Sequence, residues 1–166
     1  MTLNFEHNSQ LALEEIQTDG YHEIIIHDKK VVKDYMNSCE IVDTYGNAKQ
    51  EIIDLINQRY NTDFDLYHWI EKDLNDEVAY FINEVGSNAL NHSEFKAPSK
   101  FHLWFGKKGF IIGIEQLGKG FNAEEVYEKE IKTNEGRAFE FFKVCKSKIF
   151  FDNSKNTRII FMEFMF

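Results

Sequence analysis

The stretch INEVGSNALNH, residues 82–92, places Glu84, Asn88 and His92 at intervals of four residues. At this spacing the three side chains share one face of a helix. An acid, an amide and an imidazole are residue types that transfer protons and hold cations in enzymes. Asn and Gly are poor helix formers, so this helix keeps them for a reason other than helix propensity. A solvated surface is the plainer explanation for three polar residues on one face.

Two glycine-containing segments further along the chain could also contact a ligand. EQLGKGF follows a predicted strand, and Gly118 and Gly120 would let the backbone approach a ligand closely. NEGRAFEFF puts Gly136 and Arg137 at the start of a predicted helix, where free N–H groups suit a phosphate. Either segment alone is also what an ordinary hairpin or loop contains.

Composition limits the classes of function. The chain has 166 residues, 43% of them apolar, which is enough for the core of one domain. Its net charge of -9 argues against binding to the phosphate backbone of nucleic acids, although a single nucleotide needs only local donors. The histidines form no HExxH pattern, and the two cysteines suggest neither a zinc site nor a disulfide framework. With no signal-like or membrane-spanning run, we expect a cytoplasmic protein that binds no membrane.

Hydrophobic periodicity predicts the elements that must position these residues. Predicted strands cover 21–28, 101–105, 110–116, 148–151 and 157–166, and predicted helices cover 44–61, 75–92 and 137–146. Residues 63–73 fit a short helix, and Asn75 is the expected N-cap of the helix that carries Glu84. Residues 117–136 predict a glycine-rich turn followed by a charged, mobile segment.

This order of elements favours an α+β fold. We expect a two-layer α/β sandwich, with a mixed, mainly antiparallel sheet and helices on one face. Residues 1–166 are predicted to form a single domain, in which residues 1–43 are an N-terminal extension.

Taken together and in this order, the motifs resemble those of the GHKL (Bergerat-fold) ATPase superfamily. Within it they are most similar to anti-sigma-factor serine kinases and histidine-kinase-like ATPase domains. EVGSNALNHS resembles the N box, E-x-x-x-N-A-x-x-H, which is the most specific of the motifs. IEQLGKGF resembles the first glycine box, D-x-G-x-G-F, and NEGRAFEFFKV the second, G-G-R-G-L-x-L. The resemblance covers residues 75–166, including the final hairpin that ends in TRIIFMEF.

The resemblance implies a site for ATP and Mg²⁺. Glu84 would be the general base that activates the group attacking the γ-phosphate, and Asn88 would be the ligand of Mg²⁺. The remaining implied nucleotide-binding residues are Asn91, His92, Gln116, Gly118, Gly120, Gly136 and Arg137.

The chain departs from the family pattern at two positions. Gln116 stands where the family has the acid that reads the adenine amine, and Ala138 replaces the last glycine of the second box. A glutamine amide can turn to donate as well as accept, so we expect weak ATP binding and poor discrimination against GTP.

Two functions follow from these motifs and departures. The first is an ATP/Mg²⁺-binding regulatory domain that phosphorylates a protein partner or slowly hydrolyses ATP. The alternative is a degenerate, non-catalytic interaction domain that keeps the fold. The resemblance implies a sigma-factor-like or signalling protein as the partner, and it is compatible with a homodimer.

Overall fold

The structure is a computed structural model that describes residues 3–26, 35–69, 76–92, 98–133 and 145–166. Within these ranges the chain forms four α-helices, a 3₁₀ helix and five strands. In chain order they are α1 (Ser9–Ile16), β1 (Thr18–Ile25), α2 (Tyr35–Tyr60), the 3₁₀ helix (Leu66–Trp69), α3 (Glu77–His92), β2 (Pro98–Gly106), β3 (Gly109–Gln116), α4 (Ala123–Thr133), β4 (Lys148–Phe151) and β5 (Ile159–Met165). Most of the helix predicted over 137–146 lies outside the described residues.

The five strands form one sheet in the order β1-β2-β3-β5-β4. Every neighbouring pair of these strands is antiparallel. Leu3 adds an isolated parallel bridge to Ile149, next to the β4 edge of the sheet. The predicted α+β class with a mainly antiparallel sheet is therefore confirmed.

Helices α2 and α3 cover one face of the sheet. Alternate residues of β2 and β3, Phe101 and Ile112 among them, point into a core that also contains Ile52 of α2 and Ile82 of α3. Each of these four side chains is completely buried. The apolar periodicity that predicted the two helices thus marks the sides that pack on the sheet, although α2 begins at Tyr35, earlier than predicted.

Helix α1 covers the opposite face, and no sequence pattern predicted it. Ala12 and Ile16 pack there against Ile111, Phe150 and Phe161 of the sheet. The Asn8 side chain caps the helix by accepting from the Leu11 N–H at 3.0 Å. Residues 3–26, which fall in the predicted N-terminal extension, therefore supply a helix and an edge strand to the sheet.

Two local features differ from what the sequence patterns indicated. Helix α3 begins at Glu77 and its N-cap is Asp76, one residue after the predicted position, because the Asp76 Oδ1 atom accepts from the Ala79 N–H at 3.0 Å. The charged segment expected to be mobile contains helix α4. It is capped by Asn122, which accepts from the Glu125 N–H at 3.1 Å, and two acids in its first turn suit the helix dipole.

A buried cluster of ionisable groups fastens the segment before α1 to the sheet. The His7 Nε2 atom lies 2.7 Å from the Glu163 Oε2 atom, and the two side chains are 5% and 0% exposed. Glu15 of α1 pairs with Lys148 of β4, which lies opposite Glu163 in the sheet register. Burial and the neighbouring Glu15 carboxylate raise the pKa of Glu163 to about 8. Burial and the Lys148 charge lower the pKa of His7.

Stability should fall as pH rises from about 6.5 to about 8, since the folded pair keeps one proton that the unfolded chain loses. The ordinary pKa values are 4.5 for the glutamate and 6.5 for the histidine, so above 6.5 the unfolded pair holds no proton. The folded pair still holds one, on Glu163, until about pH 8. Linkage then makes the free energy of unfolding decrease with pH, in total by about 2 kcal/mol.

Urea unfolding at a series of pH values, with EDTA present, measures this effect. Glu163→Gln should remove the decrease, because glutamine can still donate to His7 but does not titrate. Glu14→Gln, on the exposed side of α1, is the matched control and should follow wild type. If the free energy of unfolding falls with pH equally in Glu163→Gln and in wild type, the proton is not held on Glu163.

Candidate functional site

Helix α3 leaves one narrow stripe of its described side chains partly exposed. Tyr80, Glu84 and Asn88 recur every four residues and are each half-buried, whereas Val78 and Ile82 are completely buried. The predicted base and the predicted Mg²⁺ ligand therefore lie one turn apart on the stripe that solvent can reach. In this arrangement the Glu84 carboxylate and the Asn88 amide oxygen can contact the same small ligand.

The asparagine that precedes the predicted base has a structural role. The Asn83 side-chain amide donates to the carbonyl oxygens of Ala79 at 2.9 Å and Leu66 at 3.1 Å. Its Oδ1 atom accepts from the Lys49 Nζ atom at 2.9 Å, and burial lowers the pKa of Lys49. Asn83 thus joins α3 to the 3₁₀ helix and to α2, which sets the position of the half-exposed stripe.

The glycine in the same stretch makes room for a neighbouring helix. A Cβ atom at Gly86 would lie 2.1 Å from the hydroxyl oxygen of Tyr45, far inside contact distance. Tyr45 is 4% exposed, and its hydroxyl lies 3.3 Å from the carbonyl oxygen of Ile82. Two of the poor helix formers in this stretch, Gly86 and Asn83, therefore serve the contact between α2 and α3.

The loop after β3 has the conformation that its first glycine permits. Gly118 has a φ of 87°, in the left-handed region that other residues rarely adopt. The Gln116 side-chain Nε2 donates to the carbonyl oxygen of Lys119 at 2.9 Å. Because a carbonyl can only accept, this bond orients the amide and leaves the Gln116 Oε1 atom as the group that can accept from a ligand.

The second glycine of the loop packs against the turn between β4 and β5. A Cβ atom at Gly120 would lie 2.3 Å from the Asn156 Oδ1 atom and 2.8 Å from the carbonyl oxygen of Thr157. Phe121 and Thr157 exchange two backbone hydrogen bonds, of 3.0 and 2.7 Å. Close packing within the protein is therefore sufficient to require glycine at position 120.

The loop and the half-exposed stripe of α3 are related through strand β2. Gln116 is the Cα partner of Pro98 at the start of β2, and only five residues separate Pro98 from His92 at the end of α3. Those six links span at most about 22 Å. Ile114, two residues before Gln116 on the same strand, packs in the core with α3. Residues two apart on a strand point to the same face, so Gln116 also lies on the α3 side of the sheet.

Glu115 points to the opposite side of the sheet. Its Oε2 atom lies 2.8 Å from the His102 Nε2 atom, and this hydrogen bond lowers the pKa of Glu115. The His102 Nδ1 atom lies 2.7 Å from the Tyr21 hydroxyl, so three polar side chains from β1, β2 and β3 form a hydrogen-bonded chain. Sequence reasoning missed this chain, because its members come from three separate strands.

Four predicted site residues lie partly or wholly outside the described part of the chain. The backbones of Asn91 and His92 lie in the last turn of α3, but their side chains are outside the part that the structure describes. Gly136 and Arg137 fall within residues 134–144, which are likewise outside it. The structure therefore brings together Glu84 with Asn88, and Gln116 with Gly118 and Gly120, as two separate groups.

Comparisons with protein-family models, with curated proteins and with solved structures found no match. The resemblance to the GHKL superfamily is therefore one of sequence motifs alone. In the described parts of the chain, no helix combines the length and the apolar character needed to cross a membrane.

Gly86→Ala should lower the free energy of unfolding, since the added methyl group meets the buried Tyr45 ring. Overpacking of this kind costs about 1–3 kcal/mol, against about 1 kcal/mol gained in helix propensity. Gly46→Ala in α2 is the matched control, because a Cβ atom there meets nothing within 4 Å. The control should be more stable than wild type by about 1 kcal/mol. Equal gains in both variants, measured by urea unfolding, would show that Tyr45 does not constrain position 86.

Proposed function

We propose that this chain is a cytoplasmic ATP- and Mg²⁺-binding regulatory domain of the GHKL type that acts on a protein partner. The observation that supports the proposal most directly is the half-exposed stripe of Glu84 and Asn88 on α3. It lies on the same side of the sheet as Gln116 and its glycine loop. The confirmed fold class is also the one that the motif resemblance implies.

The chemistry of the stripe suits phosphoryl transfer. The Asn88 amide oxygen is a hard ligand of the kind that Mg²⁺ takes alongside phosphate oxygens. Glu84, one turn earlier, would take the proton of the attacking hydroxyl or water. The new P–O bond forms as the bond between the γ-phosphate and ADP breaks. Asn91, His92, Gly136 and Arg137 would contribute phosphate contacts, as the resemblance implies.

The orientation of Gln116 favours adenine over guanine. One N–H of its amide donates to the Lys119 carbonyl, which holds the amide in one orientation with its oxygen able to accept from a base. That oxygen can accept from the adenine amine but repels the guanine carbonyl at the corresponding position. We therefore expect better discrimination between ATP and GTP than a freely rotating glutamine amide would give.

A non-catalytic interaction domain is the second candidate. Two observations favour it: Gly120 is required by packing against Asn156, and the Gln116 amide is partly used within the loop. A domain that had lost nucleotide binding would keep both features for stability alone.

Calorimetric titration with nucleotide and Mg²⁺ separates these candidates. We expect ATP to bind weakly and GTP to bind at least about tenfold more weakly, because of the fixed acceptor at Gln116. Gln116→Asp should strengthen ATP binding about tenfold, since a charged acceptor contributes about 1.5–3 kcal/mol and a neutral one about 1 kcal/mol. Gln10→Asp on α1 is the surface control and should change neither affinity. If neither the wild type nor Gln116→Asp binds a nucleotide, the interaction domain is the better proposal.

Glu84→Gln tests the role of the carboxylate. The variant should bind ATP with nearly wild-type affinity but lose phosphoryl transfer, measured as release or transfer of labelled γ-phosphate, since glutamine cannot accept the proton. Glu51→Gln on the neighbouring helix α2 is the control and should keep full turnover. A parallel loss of binding and turnover in Glu84→Gln would assign this residue a structural role instead.

A further inference from the structure

On the face of the sheet opposite to α3, we propose that His7, Glu15 and Glu163 form a binding site for a divalent transition-metal cation of the Zn²⁺ type. This site is independent of the proposed nucleotide site. Glu163 lies next to Ile111 in the sheet register, and Ile111 packs against α1. The sheet therefore separates the three ligands from Glu84 and Asn88.

The three ligand atoms are already gathered. One nitrogen or oxygen atom from each residue lies within 4.8 Å of the others, so a single ion with bonds of about 2.0–2.2 Å could contact all three after small side-chain shifts. The backbone N–H of His7 donates to the Asn4 Oδ1 atom at 3.0 Å. Its ring stands edge-on to Phe150 at 4.8 Å between centroids. The hydrogen bond to Asn4 and the contact with Phe150 therefore hold the His7 imidazole toward Glu163.

A buried oxygen that lacks a partner independently indicates a missing ligand. The Glu163 side chain is 0% exposed, yet its Oε1 atom accepts no hydrogen bond from any group in the described part of the chain. A buried carboxylate oxygen without a partner is costly, so native proteins usually supply one. A cation bound to both oxygens of Glu163 would satisfy this requirement.

Lys148 is the cation that now compensates the cluster. Its Nζ atom pairs with Glu15 and lies 3.9 Å from the Glu163 Oε2 atom. The Lys148 side chain is 40% exposed, so it can turn toward solvent when an ion enters. Lysine and metal therefore compete for the same carboxylates, and removing the lysine charge should favour the metal.

The donor set selects the class of metal. One imidazole nitrogen with two carboxylates suits Zn²⁺ and related first-row cations, whereas Mg²⁺ and Ca²⁺ prefer sites built from oxygen alone. His7 precedes α1, Glu15 lies within it and Glu163 lies on β5, so the ion would join the N-terminal segment to the sheet. Its main effect would be on stability, because a metal that binds only the folded chain stabilises it.

The metal-free protein, stripped with EDTA and dialysed, should be titrated with Co²⁺ by absorption spectroscopy and then with Zn²⁺ in competition. We expect one Co²⁺ per chain, and an increase in the unfolding temperature with Zn²⁺. Glu15→Gln, at a half-exposed position where folding is not at risk, should weaken binding at least about tenfold, as should His7→Gln. Lys148→Met should bind Co²⁺ more tightly than wild type.

Glu14→Gln is the matched control, since this neighbour of Glu15 on α1 is exposed and is not one of the three ligands. It should bind Co²⁺ as wild type does. The proposal is overturned if the wild type binds no Co²⁺, or if Glu15→Gln and His7→Gln bind it as tightly as Glu14→Gln. Should His7→Gln fail to fold, Glu15→Gln and Lys148→Met still decide the question.

Discussion

Burial of strand β3 on both faces is the constraint on which the rest of the structure depends. Residues 109–114 are all buried, including those on alternate sides of the strand. A strand in this position needs a cover on each face, because both sets of side chains must leave water. Helices α2 and α3 supply one cover and the short helix α1 supplies the other.

This two-sided burial also divides the polar chemistry of the molecule between two faces. On the α3 side, Glu84 and Asn88 lie at the margin of the core, on their half-exposed stripe. On the α1 side, His7 and Glu163 are buried within the layer itself, where an ionised pair is costly. The first arrangement suits exchange of a ligand with solvent, whereas the second suits a permanent structural connection.

The buried polar groups of the helices show how packing is kept specific. Glu77, at the first position of α3, accepts from the backbone N–H and the hydroxyl of Ser147, at 3.1 and 2.7 Å. Asn83 satisfies both donors of its amide and accepts from Lys49. Each such group can be buried only if its particular partner is present, so together they select one position of α3 against its neighbours.

The sequence by itself determined most of the strands, helices α2 and α3 and the α+β class, because periodicity of two or of 3.6 residues is a local signal of a buried face. It also singled out Gly118, where the positive φ needs glycine. Only the tertiary structure decided that α1 covers the second face and that Asp76 caps α3. The packing reason for Gly86, the orientation of the Gln116 amide and the pairing of His7 with Glu163, 156 residues apart, also emerged only there. Spacing along a chain reports which residues share a face, but which face meets which partner depends on contacts between distant segments, which no local pattern encodes.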